Sequence, residues 1–299
     1  MSNILTIDNL HKHYGKVHAV NGLSLEVEEG SVFGILGPNG SGKSTTLGIL
    51  LDVVRHDGGS YQWFGLPGSA AVRKQIGAIL ESPTFYPYLS AVANLKIVAT
   101  IKNVSYTRIP RVLEIVDLHE RKDDPFKQYS LGMKQRLAIA SALLSDPKVM
   151  ILDEPTNGLD PQGIAEIRRL IVDIATQGKT IILASHLLDE VQKVCTHFAV
   201  LKKGKKIYSG SVAKALGGTD TVEVAAADME QLRNVISTFD FVKSAERENG
   251  IFKLKLEQEA NTSFLNQQLS EKGIYVSYLS QKTKSLEKQF LDLLATTHD

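Results

Sequence analysis

Cysteine is all but missing: the chain has one, Cys195, so no disulfide can form within it. Nor does a charged-then-apolar leader precede Ile4. Together these predict a protein made and kept in a reducing cytosol. No apolar run approaches the about 20 residues that a membrane-spanning helix needs, so a membrane role has to come through a partner. Charge of one sign is lacking too. The 34 Lys+Arg and 33 Asp+Glu leave a net +1 over 299 residues, which gives no general attraction to nucleic acid or to an anionic membrane. That length predicts one large domain or two unequal ones.

What is present is concentrated in one stretch, Ile35-Leu36-Gly37-Pro38-Asn39-Gly40-Ser41-Gly42-Lys43-Ser44-Thr45-Thr46. It runs from an apolar strand (31–36) through a glycine-rich turn into a helix opening at Lys43, and it matches G-x-x-x-x-G-K-[ST] residue for residue. The glycines let backbone N–H groups curl around an anion without Cβ clashes, and the helix start adds the positive end of its dipole. Lys43 supplies a point charge for β- and γ-phosphates, and the Ser44 hydroxyl can ligate Mg²⁺.

Around this phosphate-binding loop the chain reads in order. Alternating stretches at 4–7 and 23–27 predict an antiparallel sheet ahead of the loop. Tyr14, in a loop between them, either stacks on adenine or caps a strand end. Short strands follow at 60–64 and 76–80, and then helices without strands from 85 to about 145 predict a helical insert. The last insert helix starts at Ser130-Leu131-Gly132-Met133. A hydroxyl, a bare backbone glycine and a dipole end meet there, which makes either a second anion site or an ordinary capped helix.

The continuous apolar run 149–152 predicts a buried parallel strand, and it ends in Asp153-Glu154, where α/β sheets bind ligands. One carboxylate can hold Mg²⁺ and the other can polarise water. Asp160 caps a helix with Pro161 in its first turn. A further buried strand (180–184) stops at Ser185-His186, and His186 is either structural or a γ-phosphate contact. A Lys202-Lys203-Gly204-Lys205 hairpin follows, and then Gly217-Gly218 marks a composition break. Beyond it the order βαββαβ and a final helix (286–294) predict a small ferredoxin-like domain. From Thr219 onward 9 Lys+Arg face 13 Asp+Glu, which argues against a nucleic-acid tail.

With these motifs in this order, residues 1 to about 212 resemble the ATP-binding subunit of an ABC transporter. Gly77-Ala78-Ile79-Leu80-Glu81-Ser82-Pro83 and Phe85-Tyr86-Pro87 look most like the bacterial bacitracin-resistance and lantibiotic-immunity ATPases. The resemblance implies an α/β P-loop NTPase fold with an antiparallel β subdomain and a helical insert. An ATPase domain at 1–216 would precede the α+β domain at 219–299.

It also implies site roles. Gly37, Pro38, Asn39, Gly40, Ser41, Gly42, Lys43, Ser44 and Thr45 would bind ATP, with Tyr14 on adenine. Ser44 and Asp153 would hold Mg²⁺, with Glu81 close to the metal. Glu154 would be the general base and His186 the γ-phosphate contact, while Ser130 and Gly132 would close in trans on ATP held by a second copy and Asp160 would bridge the copies. The implied assembly is a homodimer around two ATP driving a separate membrane permease from the inner face of the membrane, with drugs or antimicrobial peptides as candidate cargo and no nucleic acid.

Two departures stand out. Glu81 replaces the usual glutamine, and the signature reads Ser-Leu-Gly-Met-Lys rather than Ser-Gly-Gly-Gln. An extra charge at Glu81 would strengthen Mg²⁺ attraction or repel the γ-phosphate until the permease docks. Phe85, Tyr86 and Tyr88 either line the permease groove or belong to the insert's core. Two alternatives stay in view. One is a soluble ATPase switch on a ribosome or DNA, disfavoured by the single cassette and the lack of a basic stretch. The other is a nucleotide-binding module without turnover, disfavoured by Glu154 and His186.

Overall fold

The computed structural model describes residues 2–80, 84–216, 221–257 and 260–282. The expectations for Glu81 and for a helix at 286–294 lie outside the described residues. The chain divides into two compact units, Met1–Val212 and Ala213–Asp299. That division falls ahead of the Gly217-Gly218 break, inside the short helix α8 (Val212–Leu216), where the sequence offers no turn signal.

In the first unit, β1 (Asn3–Tyr14) and β2 (Val17–Glu28) form an antiparallel hairpin. Next to β1 lies β4 (Gly58–Trp63), which turns back into β5 (Leu66–Pro67), giving the order β2-β1-β4-β5. Both hairpin strands outrun the stretches at 4–7 and 23–27. Register shifts between Ile7 and Leu10 and between Lys12 and His13 break the alternation, yet the ladder continues through bulges. Tyr14 is accordingly the last residue of β1 rather than part of a loop.

The second sheet holds β3 (Val32–Leu36), β6 (Ile76–Ile79), β7 (Val149–Asp153), β8 (Thr180–Ser185), β9 (His197–Lys202) and β10 (Lys205–Ser211), in the order β10-β9-β3-β8-β7-β6. All its pairings are parallel except the β9–β10 hairpin. Every residue of β3, β7 and β8 is buried, which explains their unbroken apolar runs. Behind β3 runs α1 (Lys43–Leu50). Trp63, fully buried, donates its indole N–H to Leu50 O at 3.0 Å and so fastens the antiparallel sheet to the foot of that helix.

The insert carries α3 (Ala91–Lys102), α4 (Ile109–Ile115) and α5 (Leu131–Leu143), after the single-turn α2 (Ala70–Arg73). Buried Asn94 of α3 accepts from Tyr86 N at 2.8 Å and donates to the carbonyls of Tyr86, Leu89 and Ser90. That satisfies a turn which has no ladder of its own. Phe85 packs edge-on against Phe126, a core role, whereas Tyr86 and Tyr88 are exposed.

Two helices flank the end of the parallel sheet: α6 (Pro161–Thr176), started by Asp160 accepting from Gly163 N at 2.9 Å, and α7 (Leu188–Val194). In the second unit, β11 (Thr221–Ala226), α9 (Met229–Ile236), β12 (Val242–Glu248), β13 (Ile251–Leu256), α10 (Thr262–Glu271) and β14 (Val276–Lys282) form an all-antiparallel sheet β12-β13-β11-β14. Its inward side carries Val222, Val224, Phe252 and Leu254. This is the βαββαβ order of a ferredoxin-like domain.

Candidate nucleotide site

The loop from Gly37 to Gly42 is built by close approach. A Cβ on Gly37 would fall 2.5 Å from Leu201 O and from Ser41 Oγ, and one on Gly42, whose φ is +104°, would fall 2.2 Å from Ala19 O. Only glycine fits either place. Gly204, in the β9–β10 turn with φ +77°, donates its N–H to Ser41 O at 3.0 Å and accepts from Asn21 N at 2.9 Å. The hairpin turn therefore braces the loop from behind. Ser41 Oγ is buried without a hydrogen-bond partner, so the cradle holds a donor free for an anion. Pro38, Asn39, Gly40 and Ser44 face solvent, with Thr45 half-buried beside them.

Three neighbouring strands deliver chemistry to one edge. β3 ends at the phosphate loop, β7 at Asp153 and β8 at Ser185. Beyond the strand ends the ladder persists: Gly37 N donates to Ser185 O (3.3 Å) and Glu154 N to Ala184 O (3.0 Å). Lys43, 5% exposed, donates from Nζ to Gly37 O at 2.7 Å and lies 3.4 Å from Glu154 Oε1. The other oxygen of Glu154 is 2.8 Å from His186 Nδ1. Asp153, 4% exposed, sits one residue back on β7. Glu154 itself has φ +47°, a sparsely populated backbone region that a surrounding structure has to enforce.

Tyr14 is half-exposed at the end of β1, with Lys12 Nζ 5.2 Å from its ring centroid. Lys12 and His13 are pinned by Asp57, which accepts from Lys12 Nζ at 3.0 Å and from His13 N at 2.7 Å. Those bonds hold the Asp57 carboxyl below the ordinary carboxylate range, the His13 backbone bond most of all.

A separate cleft of about 410 Å³ gathers the remaining predicted residues. Ser130 caps α5 by accepting from Met133 N at 3.2 Å. Gly132 is open, since a Cβ there would meet only Leu159 Cδ2 at 4.0 Å. Asp160, Gly158 and Leu159 line the same cleft, whereas Lys43, Glu154 and His186 do not. Within one chain the two groups of residues thus stand apart. Sequence reasoning reaches Lys43, Asp153, Glu154 and His186 through their strand ends. It does not reach the Gly204 brace or the Asp57 clamp, which depend on residues far apart in the chain.

A glycine-built loop, a lysine and a carboxylate–histidine pair share one edge of a parallel sheet, an arrangement suited to nucleotide hydrolysis. An ABC transporter family model matches residues 20–157. The ABC transporter ATP-binding protein YhcH of Bacillus subtilis is 36% identical, with 100% of this chain and 98% of that protein aligned. The lantibiotic transport ATP-binding protein SrtF of Streptococcus pyogenes is 43% identical over 70% of this chain and 93% of its own. The bacitracin transport ATP-binding protein BcrA of Enterococcus faecalis is 30% identical over 98% and 97%. Among solved structures, cbiO1 from Clostridium perfringens, part of the transporter complex cbiONQ, superposes with a TM-score of 0.67 at 30% identity, over 80% of this chain and 96% of that one. The chain belongs to the ABC transporter ATP-binding family, and its activity is the binding and hydrolysis of ATP in transport.

Proposed function

We propose that two copies close head to tail around two ATP·Mg²⁺. Each copy's Lys43, Asp153, Glu154 and His186 act on one nucleotide, while Ser130 and Gly132 of the other copy cap its γ-phosphate. The observation that carries the hydrolytic reading is the chain of contacts Lys43–Glu154–His186, at 3.4 and 2.8 Å, on the edge where the loop opens. The dimer is supported by the separation of the two half-sites and by the half-buried Gly132, beside which a Cβ would meet nothing closer than 4.0 Å. A cassette of this fold has been solved as a dimer with ADP and Pi.

The donors fit Mg²⁺. Ser44 and Asp153 offer hard oxygens, and Mg²⁺ takes one or two such ligands and completes its shell with phosphates and water. Glu154 would accept a proton from the attacking water, His186 would orient the γ-phosphate, and Asp160 would bridge the copies. Tyr14 would stack on adenine.

In this reading the chain sits on the inner face of the membrane and drives separate, integral-membrane permease subunits; among its own described residues no helix is long and apolar enough to cross a membrane. Exposed Tyr86 and Tyr88, beside the Asn94-fixed turn, suit that contact. The transport names of the lantibiotic and bacitracin relatives support a peptide antibiotic as the exported class. Glu154→Gln should abolish turnover and convert the protein with ATP·Mg²⁺ to a dimer on size exclusion. A monomer at saturating nucleotide would sink the paired-site reading, and parental turnover would remove Glu154 as base.

A further inference from the structure

Behind the hydrolytic pair lies a second polar cluster that touches neither the phosphate loop nor the Ser130 cleft. Glu190 on α7, only 1% exposed, accepts at Oε2 from Thr156 Oγ1 (2.9 Å) and at Oε1 from Arg168 Nε (2.9 Å) and Nη2 (2.8 Å). Thr156, 3% exposed, stands two residues after Glu154, while Glu190 stands four after His186. Arg168 comes from α6 and also binds Asp189 Oδ2 at 2.6 Å. Three segments, the turn after β7, α6 and α7, therefore meet on one buried carboxylate.

Burying an ion pair with a hydroxyl bonded to it is costly, and apolar packing would hold three segments together at least as well. What the trio adds is direction. Glu154 keeps a left-handed backbone that has to be enforced from both sides. On one side its N–H is fixed to Ala184 O. On the other, the Thr156 hydroxyl is fixed to the helix that follows His186.

We propose that Glu190, through Thr156 and Arg168, is a positioning residue for hydrolysis: it sets the Glu154 turn against the His186 segment so that base and phosphate contact stay in register. This rests on the reading of Glu154 and His186 as the hydrolytic pair. Because no member of the trio lines the phosphate loop, its loss affects turnover rather than nucleotide affinity.

The test measures kcat, KM for ATP, the pH profile of kcat and the thermal midpoint in the full chain. Thr156→Val keeps volume and leaves the Glu190–Arg168 pair intact, so it serves where Glu190→Gln does not fold. Both variants should lower kcat about 10- to 100-fold, as misplacement of reacting groups does, with KM within about twofold and a displaced pH profile. Thr156→Ser, which restores the hydroxyl, should recover parental kcat. The proposal is overturned if Thr156→Val keeps parental kcat, if KM rises as much as kcat falls, or if Thr156→Ser does not rescue. Parental kcat in Glu154→Gln would instead bring down the underlying assignment, an outcome read from a different variant.

Discussion

Lys102 ends α3 with its stem packed inward and Nζ donating to Ser141 O at 2.8 Å. It borders a cavity of about 650 Å³ together with Arg73, Lys74 and Ser145. Burial pushes its pKa down from 10.5 to about 8, a difference equivalent to roughly 3 kcal/mol. Lys102 is only half-buried, so solvent screening leaves about half of that at neutral pH. Lys102→Met keeps the stem, removes the buried charge and forfeits one hydrogen bond, at about 1 kcal/mol. The net expectation is a stabilisation of about 0.5 kcal/mol at pH 7.

The sign with pH follows from proton counting. Below pH 8 both folded and unfolded Lys102 are charged and the cost of burial is complete. Between about 8 and 10.5 the unfolded chain binds more protons, so the parent gains stability as pH rises. The advantage of Lys102→Met should therefore fade over that interval and be gone above it. Urea unfolding of both proteins at pH 7 and near pH 10, followed by far-UV circular dichroism, reads this directly. A variant that is less stable at pH 7, or a difference that ignores pH, would refute the reasoning.

Three further outcomes are expected. Gly42→Ala forces a Cβ to within 2.2 Å of a backbone oxygen at φ +104°, and ATP affinity measured by equilibrium dialysis should drop by about tenfold or more. Lys43→Ala should lose nucleotide binding in the same assay, and retained affinity would undo the loop assignment. Asp57→Asn loosens the end of β1 that carries Tyr14. Because the Asp57 carboxyl is held below its usual range, the clamp is complete above the ordinary carboxylate pKa and is lost only as pH falls below it. The Asp57 clamp should thus add no pH dependence of its own from pH 5 to 8, and ATP affinity should be lower by a small factor in the variant, about two- to threefold.

Much of the fold and the placing of the candidate residues could be read from the chain because those residues sit where a run of apolar residues stops. Asp153-Glu154 and Ser185-His186 each end a five- or six-residue buried strand, and a buried parallel strand announces itself without reference to its neighbours. The ferredoxin-like order was legible for the same reason, its turns marked by pairs such as Asn249-Gly250, both with positive φ. Other features were hidden because they depend on distant partners. His11 and His13 look like loop residues, yet bulges carry β1 through them to Tyr14. Gly204 reads as a hairpin glycine, and only the folded chain shows its N–H on Ser41 O. Glu190 has the look of a solvated helical carboxylate until Thr156 and Arg168 enclose it.

The chain contains a single tryptophan, and it is Trp63, sealed from water with its indole hydrogen-bonded to the last residue of α1. Tryptophan fluorescence, excited at wavelengths the nine tyrosines do not absorb, consequently comes from one address, shielded from dissolved quenchers and wired to the far end of the phosphate-loop helix. Any tilt of that helix as nucleotide arrives is written into the colour and lifetime of one emitter, with no second signal to subtract.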